Sequence, residues 1–281
     1  MPNLGGYKAR ISSAQDITKI TGAMELVATA KLKRVGKRVG ETHIYLTEVY
    51  NAFNEIIKNV DNSIFLAKDD QKFEKTLWVV VNSNLGLCGA YNANINKLVM
   101  QNIKKTDSIY AIGKKAVSFF SARHMNVIYS DLTVDVNFSH EQAGAIGRNL
   151  LELFSSKQYD EIKLVYTKFI NNVTFEPTIL RLFPIVKEKK VENDHTITAQ
   201  VEFEPDAETI LSSSVGLYLN TILLGTIVES QVSEQASRRT AMEAATKNGR
   251  ELVRNWIIQF NRVRQSVITQ EITEIVSGAN A

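Results

Sequence analysis

The sequence predicts an α/β protein in which two long terminal helices pair as an antiparallel coiled coil, with an α/β domain inserted between them. Three observations carry this expectation. Residues from Ala207 to about Val276 run without a proline and keep a helical apolar rhythm. Residues 8 to about 60 do the same at the other end of the chain. Between them, short β-branched runs alternate with helical stretches, the pattern of a parallel or mixed sheet with helices on its faces.

The first long stretch spans 1–60, with Ala14, Ile17, Thr21, Met24, Ala28, Leu32, Val35 and Val39 repeating at helical spacing. Gly5-Gly6 reads as a flexible start. Lys31, Lys33, Arg34, Lys37 and Arg38 form a dense basic run. No aromatic residue interleaves it and no DNA-binding motif surrounds it, so nucleic acid is not the expected partner. Residues 61–75 turn polar and charged and read as a linker.

The inserted domain, 76–190, is Rossmann-like in its alternation. Strands are expected at Thr76–Val81, Ser108–Ile112, Val127–Ser130, Ile162–Thr167 and Thr178–Val186. Helices are expected from Ala90 to about Lys104, over Lys114–Ala122, and over Ser139–Ser156 with Ser139 or His140 near its start. The loop Gly86-Leu87-Cys88-Gly89 joins the first strand to its helix, where backbone N–H groups could meet an anion. The chain holds neither G-x-G-x-x-G nor G-x-x-x-x-G-K-[ST], so this loop reads as a structural or contact loop and no bound nucleotide is expected. Cys88 has no basic neighbour in sequence and reads as a small apolar filler.

Residues 191–206 form a charged connection in which Asp206, just after Pro205, is suited to cap the second long helix, 207–281. At about 1.5 Å per residue that helix would be about 100 Å long and needs a partner. Val215, Tyr218, Ile222, Ser230 and Gln235, then Gly249, Leu252, Trp256, Val263 and Val267, fall on three-, four- or seven-residue multiples. The Ser, Gln and Gly members make this a shallow, variable seam.

Composition narrows the function classes. The 281 residues are 44% hydrophobic and 22% charged, enough for a sizeable core. No unbroken run of eighteen apolar residues occurs and residues 1–15 lack a signal-peptide core, so no direct membrane span is expected. The single cysteine excludes an internal disulfide. His43, His124, His140 and His195 are scattered, which argues against a structural metal. The net charge of +3 is uneven: both ends are basic and the middle is acidic, which suits ends that lie near an acidic protein surface.

Three segments then resemble one family. Ile20-Thr21-Gly22-Ala23-Met24-Glu25-Leu26-Val27-Ala28 with Ala30-Lys31-Leu32, Gly86-Leu87-Cys88-Gly89, and Ala241–Asn248 with Asn261–Gly278 are similar to the signatures of the gamma subunit of F-type ATP synthases. The resemblance covers essentially the whole chain. It implies a non-catalytic central rotor shaft that couples ATP synthesis or hydrolysis in an alpha/beta hexamer to rotation and proton translocation. The implied partners are the alpha and beta subunits, the epsilon subunit and the c-subunit ring. ATP, ADP and Mg would be bound by partner subunits and not by this chain. The location would be peripheral, on the cytoplasmic face of a bacterial membrane.

By the same resemblance, Met24, Glu25, Lys31, Lys33 and Arg34 would face the hexamer at its mouth and the acidic levers of the beta subunits. Gly86 and Cys88 would approach a beta subunit. Arg264, Gln265, Thr269 and Glu271 would reach the catch region of the catalytic subunits, and Glu204 would lie on the c-ring side. Gly22 stands where the family usually has lysine, and Ala90-Tyr91 where it usually has Gly-Leu. Such departures keep open a rotor for a specialised ATPase that drives a mechanical machine without proton coupling.

Overall fold

The computed structural model describes residues 4–60, 63–68, 73–171, 174–187 and 203–279. The elements follow the order α1 (Leu4–Lys58), β1 (Thr76–Val81), α2 (Tyr91–Asn102), β2 (Ser108–Ile112), α3 (Lys114–Ser121), β3 (Val127–Asp131), α4 (His140–Ser155), β4 (Glu161–Phe169), β5 (Phe175–Phe183) and α5 (Ala207–Ala279). The strands form one mixed sheet in the order β3-β2-β1-β4-β5, parallel except for the β4–β5 hairpin. β5 begins and ends three residues earlier than the sequence suggested. It is an edge strand, which tolerates Pro177, and Pro184 follows its end.

β1 is buried along its whole length because helices cover both faces of the sheet. Its side chains alternate between two cores, as a strand's period of two requires. Leu77, Val79 and Val81 join one core with α4, the end of α1 and the first part of α5, whereas Trp78 and Val80 join another with α2 and α3. On α5, Leu211, Val215, Leu219, Leu223 and Ile227 recur every fourth residue and all enter the first core. One 18-residue window of α5 is apolar enough by length and composition to cross a membrane. Of that window 44% is buried inside the protein.

Local chemistry sets the helix starts. Ser139 caps α4 through a reciprocal box: its hydroxyl accepts from Gln142 N, and the Gln142 side chain accepts from Ser139 N. Asp206 accepts from Thr209 N at 2.9 Å and from Thr209 Oγ1 at 2.8 Å. These bonds hold its carboxyl below the ordinary range. Gly5-Gly6 is no flexible lead-in, since both residues lie inside α1. Within the span read as a linker, Phe65 and Leu66 are buried in the first core, and Leu66 forms a parallel bridge with Ile185.

The chain divides into two compact units, Met1–Ala30 with Arg238–Ala281, and Lys31–Ser237. The division falls inside α1 and α5, whereas the expected limits followed the helix ends. The reason is that the later part of α1 and the earlier part of α5 are built into the sheet's core: Phe53 stacks on Tyr218 at 4.0 Å, and Val35, Val228 and Val232 form a small cluster. In the smaller unit the helices are antiparallel and closely packed. The hydroxyls of Thr21 and Thr246 lie 2.9 Å apart, Thr18 faces Gly249, and Tyr7 meets Trp256 edge-on at 5.9 Å. A Cβ on Gly249 would fall 2.4 Å from Thr18 Oγ1, so glycine sets the approach there.

Candidate functional site

In an open α/β sheet, ligands usually bind outside the carboxyl ends of the strands, where successive connections leave in opposite directions. Here that point lies between β1, which leads through α2 to β2, and β4. The crevice is filled by the chain's own α5. Ser230 Oγ accepts from Thr167 N at 3.2 Å and shares a 2.7 Å hydrogen bond with Tyr91 OH, at the first turn of α2. Ser233 Oγ donates to Thr167 O at 3.3 Å, and Ser237 Oγ donates to Cys88 O at 2.7 Å. Burial, and then the nearby Glu234 carboxylate, push the Tyr91 phenol up, so it stays neutral. The space left beside Ala90, Tyr91, Asn94 and Thr167 is about 200 Å³, below the usual range for a ligand pocket. Ser230 is therefore no flaw in a coiled-coil seam; it docks the sheet onto the helix.

The Gly86–Gly89 loop is fixed from within. Asn92 Oδ1 accepts from Ser83 N at 3.0 Å, and Asn92 Nδ2 donates to Ser83 Oγ at 2.8 Å and to Cys88 Sγ at 3.1 Å. Asn84 Oδ1 accepts from Lys114 N, while Asn84 Nδ2 donates to Val134 O at 2.9 Å. Gly113, at φ 91°, lies against this loop: a Cβ there would sit 2.2 Å from Asn82 O. Leu87 and Gly89 take left-handed backbone angles, φ 61° and 57°. As a result Cys88 points inward and is buried, and the exposed side chains of this loop are Leu85 and Leu87. Cys88 is a filler.

Apart from Glu204, the remaining expected site residues lie on the long helices. In the smaller unit, Met24 and Glu25 are half-buried on α1, and Arg264, Gln265, Thr269 and Glu271 are exposed on α5. The seven-residue spacing puts Arg264 and Glu271 on one face, and the four-residue spacing puts Gln265 and Thr269 on another. Exposed Ile268, Ile272, Ile275 and Val276 accompany them, so these last turns combine apolar surface with polar ends. In the larger unit, Lys31 is half-buried, Lys33 is exposed, and Arg34 Nη2 donates to Asn137 Oδ1 at 2.6 Å. Glu204 is exposed, two residues before the Asp206 cap. Among the described residues no three His, Cys, Asp or Glu side chains gather as metal ligands.

Sequence reasoning missed the serine stripe and the bonds that Arg34 and Arg38 make to the loop before α4. It did single out Ala90-Tyr91 as unusual, and the Tyr91–Ser230 bond is what that tyrosine makes possible.

A family model described as ATP synthase matches residues 3–281. The chain is 60% identical over 281 residues to an ATP synthase gamma chain of Mesoplasma florum, covering 100% of this chain and 99% of that one. It is 56% identical over 280 residues to the ATP synthase gamma chain of Mycoplasma capricolum subsp. capricolum, with the same coverage. Among solved structures, a chain of the Euglena gracilis mitochondrial ATP synthase, described as OSCP/F1/c-ring in rotational state 3, superposes with a TM-score of 0.73 at 19% identity, covering 99% of this chain and 94% of that one. That likeness shares the fold.

Proposed function

The chain belongs to the ATP synthase gamma-chain family, and on that premise we propose that it is the central rotor shaft of a rotary F-type ATP synthase, non-catalytic itself. Its paired helices turn inside a hexamer of alpha and beta subunits, which hold ATP, ADP and Mg. Its sheet-bearing unit sits toward the epsilon subunit and the c ring, at the cytoplasmic face of a bacterial membrane. The observation that carries this reading is the exposed end of α5, where Arg264, Gln265, Thr269 and Glu271 stand beside Ile268, Ile272 and Ile275 in the segment of the family signature. Apolar side chains at that level of exposure favour a protein sleeve, and charged ends supply hydrogen bonds that hold a rotary dwell. Met24, Glu25, Lys31 and Lys33 face the mouth of that sleeve, Leu85 and Leu87 stand beside a beta subunit, and Glu204 belongs to the c-ring side.

The test is reconstitution with the alpha and beta subunits of the same source. A complex with ATPase activity is expected, and failure to assemble an active complex contradicts the reading. Replacing Arg264 and Gln265 together with alanine is expected to lower turnover more than assembly. Unchanged turnover removes the dwell role from these two residues.

A further inference from the structure

The loop that joins β3 to α4, residues 132–139, is held by side-chain donors from three distant parts of the larger unit. From α1, Arg38 Nη1 donates to Val136 O at 2.7 Å and Arg38 Nη2 to Phe138 O at 2.5 Å, while Arg34 reaches Asn137. From α5, Gln231 Nε2 donates to Asp135 O. From the β1–α2 loop, Asn84 donates to Val134 O. Phe138 is fully buried in the sheet's core, and Val136 packs against the Val35, Val228 and Val232 cluster. Ser139 then caps α4.

This arrangement has a directional logic. The acceptors are mostly backbone carbonyls of one loop, and the donors of largest reach are guanidinium groups on α1. Two parallel N–H donors from one rigid fork resist rotation of the loop about the helix better than a single bond can. The side chains of α1 and α5 in the sheet core resist displacement by packing, and the forked, charge-assisted pair adds a fixed register at this loop.

We propose that Arg38, supported by Arg34 and Gln231, is the clamp that makes the sheet-bearing unit turn with the two long helices, so that it is a positioning residue for coupling and not a contact for acidic levers. The inference rests on the rotor reading above. It also divides the basic run: Arg38 is half-buried and acts inward, whereas Lys33 and Arg34 are exposed.

The experiment uses the assembled ATP synthase in sealed vesicles, measuring ATP hydrolysis and ATP-driven proton uptake on the same preparation. Wild-type vesicles that hydrolyse ATP but take up no protons would sink the proton-coupled rotor reading on which the inference rests, whichever variant is studied. If the wild type pumps, Arg38→Ala is expected to keep hydrolysis while proton uptake per ATP falls at least about twofold, the loss of two charge-assisted bonds being felt under load. Arg38→Lys, which can serve only one carbonyl well, is expected to fall between the two. If Arg38→Ala does not assemble, Arg38→Lys decides the matter. A variant with the wild-type ratio of protons to ATP overturns the clamp, even where its thermal stability is lowered, since a merely structural bond would change stability and leave the ratio alone.

Discussion

The same two helices build both compact units, yet the two units are held together by different physics. In the larger one, α5 lays an unbroken stripe from Leu211 to Ile227 into a sheet core, Ser230 ties β4 to α5, and Arg38 ties the loop before α4 to α1. In the smaller one there is no sheet. Small residues bring the helices together around Thr18 and Gly249, and a group of rings and cations joins Tyr7, Arg10 and Trp256, the Arg10 guanidinium lying 4.9 Å from the indole centre. The lesson is that a continuous helix need not have continuous stability. One part is a core element; the other is a surface waiting for partners.

A matched pair of substitutions sharpens that difference most. Gly113→Ala puts a Cβ into the Asn82 carbonyl at a backbone angle that side chains rarely adopt, so it is expected to cost about 3 kcal/mol or more. Gly249→Ala brings a Cβ to 2.4 Å from Thr18 Oγ1, so that threonine must shift, but the neighbour is a side chain and helix propensity is gained, so the loss is expected to be about 1 to 2 kcal/mol, less than at Gly113. Urea unfolding of both variants checks this, and equal losses would break the comparison.

Tyr91→Phe should come next. It removes the bond to Ser230, leaves the Thr167–Ser230 bond in place, and is expected to cost about 1 kcal/mol in the same assay.

The smallest effect is acid dependence at the start of α5. Because Thr209 holds the Asp206 carboxyl below its ordinary value, its contribution is present above the ordinary carboxylate range. That contribution is lost as pH falls through the lowered value. Asp206→Asn is therefore expected to lessen the acid loss of stability while changing little at neutral pH, as thermal melts across pH 2 to 7, about the carboxylate range, would register.

Much of the architecture was legible in the sequence. Thr76–Val81 and Ser108–Ile112 announced themselves as β-branched runs between turn residues, and both long helices followed from their apolar spacing and the absence of proline. Asp206 and Ser139 were readable as caps because a cap is a local device. What could not be read depended on distant partners. Ser230 looked like a break in a coil because its partners, Thr167 and Tyr91, lie 63 and 139 residues away. Arg34 and Arg38 looked like a free basic face because the loop they hold is about 100 residues distant, as the Arg38–Phe138 bond shows. Phe65 and Leu66 sit in a largely polar stretch, and their burial depends on distant partners such as Ile185.

Hydrogen exchange of the backbone amides, measured on the chain alone and again in the assembled complex, tests the central claim most directly. The account predicts that amides of residues 211–236 are protected in both states. It predicts that those of residues 261–279, where α5 exposes Ile268, Ile272 and Ile275, exchange fast in the chain alone and become protected on assembly. Protection of residues 261–279 in the isolated chain, or fast exchange there in the complex, would contradict it.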